Sequence, residues 1–139
     1  MRFLRSIAAI VIGLGFMAAT TKVWMIVANA TLLPGGSEVA KPSAVRMATY
    51  LYMNLVVCGV GAVLGGWLTA RIAPSSPYAH AAALAALVAI ISIPSATGAP
   101  APAHPGWYPA AIGLVAVLGV LLGGKLRAAA ASADGPVVA

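Results

Sequence analysis

Residues 59–74 read GVGAVLGGWLTARIAP: an apolar run with four glycines, ending on a lone arginine before an Ala-Pro pair. The glycines admit two readings. Between a strand and a helix, a glycine-rich loop cradles a phosphate. Inside a lipid-embedded helix, small residues four apart let two backbones approach. The surrounding chain decides between them. Of 139 residues, 62% are hydrophobic and 7% charged, and the mean hydropathy is +1.01. A soluble domain carries about 25% charged residues, so this chain could not cover its own surface in water. Lipid is the alternative solvent, and there a helix needs roughly 20 apolar residues to cross about 30 Å of hydrocarbon. Segments 4–32, 45–70, 77–93 and 107–124 reach or approach that length. The expectation is an all-α, four-helix transmembrane bundle over residues 1–127, followed by a short flexible tail over 128–139.

Working outward from 59–74, the chain punctuates itself. The loop LLPGGSEVAKPS at 32–43 precedes the helix that carries the opening stretch, and Ser43 is positioned to cap that helix. Pro74, Ser75, Ser76 and Pro77 force a tight turn after it, so the second and third helices should be antiparallel neighbours. PSATGAPAPAHPG at 94–106 reads as a second long loop, and Trp107, Tyr108 and Pro109 open the last helix. At the N-terminus, two arginines before an apolar run resemble a signal peptide, with ANA at 28–30 as a small-residue cleavage site. The apolar run is longer than a secretory core of about 7–15 residues, which favours a retained first span.

VLGVLLGGKLR at 117–127 echoes the opening stretch. Aligning Gly61 with Gly119 sets GAVLGGWL over GVLLGGKL, identical at five of eight positions. One explanation is a parallel duplication, hairpin 1–2 and hairpin 3–4, related by an axis along the membrane normal. The other is convergence of two ordinary apolar helix ends. In both cases Gly61 and Gly65, and Gly119 and Gly123, have the spacing of a helix-packing face. Asn54, Cys58, Gly61, Gly65 and Leu68 step by 4, 3, 4 and 3, so Asn54 should point into the bundle above those glycines. It either ties helices together or lines a polar pathway.

The ionisable inventory limits the chemistry. The two carboxylates, Glu38 and Asp134, fall outside the four spans, so there is no acidic intramembrane relay and no carboxylate pair for acid–base catalysis. His80 and His104 belong to opposite faces and cannot share a metal. Cys58 is the lone cysteine and reads as an inert packing residue. No catalytic, metal or cofactor site is expected, and enzyme activity is not expected. The net charge of +6 is spread singly over helix ends, which points to lipid headgroups rather than nucleic acid. Lys22 is the one cation that could sit within a span. It either extends to the headgroups or joins Glu38 and Arg46 in a functional polar cluster near one face. With Arg2, Arg5, Arg71, Lys125 and Arg127 on one side and Lys22, Lys41 and Arg46 on the other, the positive-inside rule places both termini in the cytoplasm.

The element LGGWLTARIAP, the following turn and YAHAAALAALVAI, the proline-containing loop, WYP and LGGKLR resemble a group of small bacterial four-helix membrane proteins with a GGWLTARIAP-type element after the second helix. The likeness covers about residues 60–127. It implies a bacterial inner-membrane location and a four-helix architecture, but no activity. A small multidrug transporter would carry a glutamate in its first helix, and none is present; the polar, phenylalanine-containing motifs of fluoride channels are not found either. The sequence therefore points to a non-enzymatic structural or accessory membrane protein, partnered by lipid and by itself or another membrane protein. A small oligomeric channel or transporter is the alternative.

Overall fold

The computed structural model describes residues 2–32, 43–73, 75–97 and 105–133, with side chains described from Phe3 and, in the third helix, as far as Pro94. They form four helices: α1 (Arg2–Thr31), α2 (Ala44–Ile72), α3 (Pro77–Thr97) and α4 (Tyr108–Ala133). All four are long and apolar enough to cross a membrane, and the protein is a multi-pass helical bundle. Glu38 and the last six residues lie outside the described residues.

The start of α2 follows the expected capping. Ser43 Oγ accepts from the Arg46 backbone N–H at 3.4 Å, satisfying a donor that the first turn leaves open. Two ends differ from expectation. α3 runs through Pro94 to Thr97; the proline stands in the last turn, where little helix remains beyond the one backbone hydrogen bond it forgoes. α4 continues nine residues past 124, so 128–133 is helix and not tail. The run AAAASA contains no breaker, and alanine has the highest helix propensity. Lys125 and Arg127 mark the edge of the apolar span and not the end of the helix.

Side-chain contacts set the register. Thr69 meets Ala9, and Gly61 meets Thr20, so α1 and α2 are antiparallel. Ser92 meets Gly113, and Ala81 meets Gly124, so α3 and α4 are antiparallel too. Asn54 meets Tyr108 and Val63 meets Gly123, so α2 and α4 run parallel. α2 touches all three other helices, whereas α1 and α4 do not touch. The core is Ala62, Leu84, Ala85, Val88, Ala116 and Val120, small and branched side chains from α2, α3 and α4. On α3, Ala81, Ala85 and Ala89 are four apart; Ala81 and Ala85 are buried and Ala89 is half-buried.

Neighbouring glycines define the order around the bundle. Adjacent residues on a helix point about 100° apart. On α2, Gly65 faces α1 and Gly66 faces α4; on α4, Gly123 faces α2 and Gly124 faces α3. Because α2 and α4 run the same way, these assignments put α1 and α3 on the same side of the α2–α4 pair. The circuit is therefore α1–α2–α4–α3. Both hairpins are present, but a rotation about the membrane normal would put α1 and α3 on opposite sides. The short turn at 73–76 joins α2 and α3 across a diagonal of the bundle, where they remain in contact.

Candidate functional site

Two polar residues of α2, Asn54 and Thr69, are buried and face the other helices. Asn54 is 8% exposed and Tyr108 is 5% exposed. Asn54 Nδ2 donates to Tyr108 Oη at 2.5 Å, which ties the far ends of α2 and α4. Asn54 Oδ1 is buried without a partner among the described residues. Exchanging the two ends of the amide changes which atom faces Tyr108, but still leaves one amide position unpaired. The Trp24 indole Nε1 on α1 is likewise buried with no partner among the described residues. Trp107 stacks edge-on to Tyr108 with centroids 5.9 Å apart.

Below Asn54 the site is backbone against backbone. A Cβ on Gly66 would meet the Val120 carbonyl, and one on Gly123 would meet the Val63 carbonyl. A Cβ on Gly119 would stand 2.7 Å from Ala62 Cβ. Toward α1, Gly13 and Gly65 are reciprocal: a Cβ on either would reach the other's carbonyl at 2.9 and 3.0 Å. The hydrogen in each such place points at a carbonyl, a weak contact worth about 0.5–1 kcal/mol. Gly61 is roomier, with Thr20 Cγ2 at 3.3 Å. All four glycines singled out in the sequence thus lie in helix–helix contacts.

The end near the 73–76 turn carries the remaining polar ties. Thr69 is fully buried, and its hydroxyl lies 2.9 Å from Gly65 O and 3.2 Å from Ala9 O. His80 Nδ1 lies 3.2 Å from Ser76 O, and Nε2 lies 2.9 Å from Ser6 Oγ. With the ring proton on Nδ1, the imidazole donates to the carbonyl and accepts from the serine. It joins α1, the turn and α3. Arg71 rests over the Trp67 ring at 5.0 Å, an anchoring contact suited to an interface.

The expected cluster of Lys22, Glu38 and Arg46 is not assembled by the described residues. Paired positions of α1 and α2 sum to about 80 (9 with 69, 20 with 61), so Lys22 lies opposite roughly residue 58. Arg46 is about twelve residues away along α2, or some 18 Å at 1.5 Å per residue. Lys22 and Arg46 are both exposed and have no ion-pair partner among the described residues. Glu38 is outside them. Nor does Lys22 approach Asn54: it points out of the bundle, and Asn54 points in.

Sequence reasoning placed Asn54 and the glycines on the packing face but missed three participants. Thr69 is four residues past Gly65 on the stripe that was stepped to Leu68, so its signal was present. Gly13 and Tyr108 needed the pairing of helices, which periodicity within one helix does not carry. Among the described residues no three His, Cys, Asp or Glu side chains gather to hold a metal. The groups at the Asn54 site offer one uncharged hydrogen-bonding position, with the Tyr108 hydroxyl and the Cys58 thiol beside it. Compared with known proteins, the chain matches no family model, no curated protein and no solved structure.

Proposed function

We propose that this chain is a non-enzymatic structural or accessory protein of the bacterial inner membrane, with both termini in the cytoplasm. The supporting observation is the way α2 and α4 meet. They pack through glycine and alanine from Ala62 to Gly123, and the buried amide above them is directed at a helix neighbour. Lys22, the cation that would feed a path to Asn54, is on the outer surface of α1. A carrier needs polar groups in series along a route; here they point in different directions. The resemblance to small bacterial four-helix proteins agrees with the compartment.

The test is flux. Purified protein reconstituted in liposomes should pass water, glycerol and monovalent ions no faster than empty vesicles do. Flux that falls on replacing Asn54 by leucine would establish the channel reading instead. Orientation is tested by a reporter fused after Ala139, which should be active only in the cytoplasm.

A further inference from the structure

The outer faces of the helices are not alike. α4 presents Leu114, Leu118, Leu122 and Leu126 outward, and the middle of α2 presents Met53, Val56, Val60 and Leu64. These are the bulky apolar residues that lipid requires. α1 differs. Leu4, Ala8, Val11, Gly15, Ala18, Lys22, Met25 and Asn29 step by 4 and 3 alternately, and every one is exposed. That is a heptad seam along the whole helix. It carries a lysine and an asparagine, and a Cβ on Gly15 would meet nothing within 4 Å. The opposite face of α1, with Ala9, Gly13 and Ala28 buried, is the one already used.

Depth makes the lysine informative. The register puts Lys22 opposite roughly residue 58 of α2, midway between Arg46 and Arg71. With those two arginines at the two headgroup layers, Lys22 lies near the centre of about 30 Å of hydrocarbon. Its Cα–Cβ bond tilts toward the N-terminus of α1, away from the face to which the sequence reading let it extend. The four-carbon stem falls well short of either surface. A charge at this depth is costly, and intramembrane charges nearly always pair.

We infer that the α1 seam is the docking surface for a transmembrane helix of another protein, one carrying an aspartate or glutamate at mid-membrane depth. Its carboxylate pairs with Lys22, its backbone closes over Gly15 and Ala18, and a polar group about two turns further on meets Asn29. A second copy of this chain does not meet the requirement. Its carboxylates, Glu38 and Asp134, fall outside the four apolar spans, and a symmetric pairing about this seam would bring Lys22 against Lys22. The inference rests on the accessory reading and names its partner class.

The test uses the full chain in lipid vesicles, with fluorescently labelled Leu/Ala transmembrane peptides of about 22 residues bearing either Glu or Leu at the centre. Energy transfer should show the Glu peptide associating at least about tenfold more tightly than the Leu peptide. Lys22→Leu should abolish that preference, Lys22→Arg should keep it, and Gly15→Leu should weaken association. Equal association of the two peptides, or a preference that survives Lys22→Leu, overturns the inference. So does efficient disulfide cross-linking of Val11→Cys between copies in a Cys58→Ala background, because the seam is then self-occupied. Neither readout depends on flux, so failure here is distinct from failure of the accessory reading.

Discussion

The two glycine pairs, Gly65–Gly66 on α2 and Gly123–Gly124 on α4, sit in near-identical sequence and do opposite jobs. On α2 the first glycine meets the helix of its own hairpin and the second crosses to the other hairpin. On α4 the first crosses and the second meets its own hairpin. A local motif therefore specifies that two neighbours come close about 100° apart, and not which neighbours they are. That choice is made by the rest of each helix: by Thr69 and Gly13 for α1, and by Asn54 and Tyr108 for the α2–α4 pair.

The crossing glycines give the sharpest way to break this arrangement. Gly66→Ala and Gly123→Ala each drive a methyl into a backbone carbonyl, which cannot rotate away, and should cost about 3 kcal/mol, the upper end for overpacking. Unfolding in bicelles would measure it. Gly124→Ala meets the rigid Ala81 methyl and should cost about 2 kcal/mol. Gly65→Ala meets chiefly the flexible Met17 side chain, with Cγ at 2.6 Å, and should cost about 1 kcal/mol. If the aligned pair Gly65 and Gly123 proved equally sensitive, the reversed assignment would be wrong.

Smaller changes sharpen it. Tyr108→Phe removes the interhelical hydrogen bond and should lower stability by about 0.6–1.7 kcal/mol. A cycle with Asn54→Leu should show the two effects to be less than additive. Smallest is Ser76, which has φ of 45°, a region costly for any side chain. Ser76→Gly relieves that strain but loosens the unfolded chain and the start of α3, for a net gain of about 0.5 kcal/mol. It should raise thermal stability slightly and leave the glycine order unchanged.

The spans were legible because a helix in lipid has to be both long and apolar, and Ser43 was legible because a cap acts within four residues. The glycines were legible as a packing face for the same reason: the period of one helix reveals which residues share a side. What could not be read was everything that depends on two helices at once. The pairing of Asn54 with Tyr108 spans 54 positions, and the separation of Lys22 from Arg46 follows from the register of α1 against α2, which the period of neither helix carries. The extension of α4 to Ala133 was missed for a different reason: charge at 125 and 127 signals where lipid ends, while backbone hydrogen bonding continues into water.

The order of contacts bears on how the protein is made. α4 leaves the ribosome after the other three helices, yet it closes against the faces of α2 and α3 that hold most of the core. Until it inserts, Gly59, Gly66 and Ala62 on α2 have no α4 to meet, and the three earlier helices are joined by the α1–α2 contacts at Thr69, Gly13 and Gly61, the His80 tie and the α2–α3 contact. Assembly is therefore committed only once α4 has been made, and a chain stopped before residue 108 would present the bilayer's quality-control proteases with three loosely associated helices.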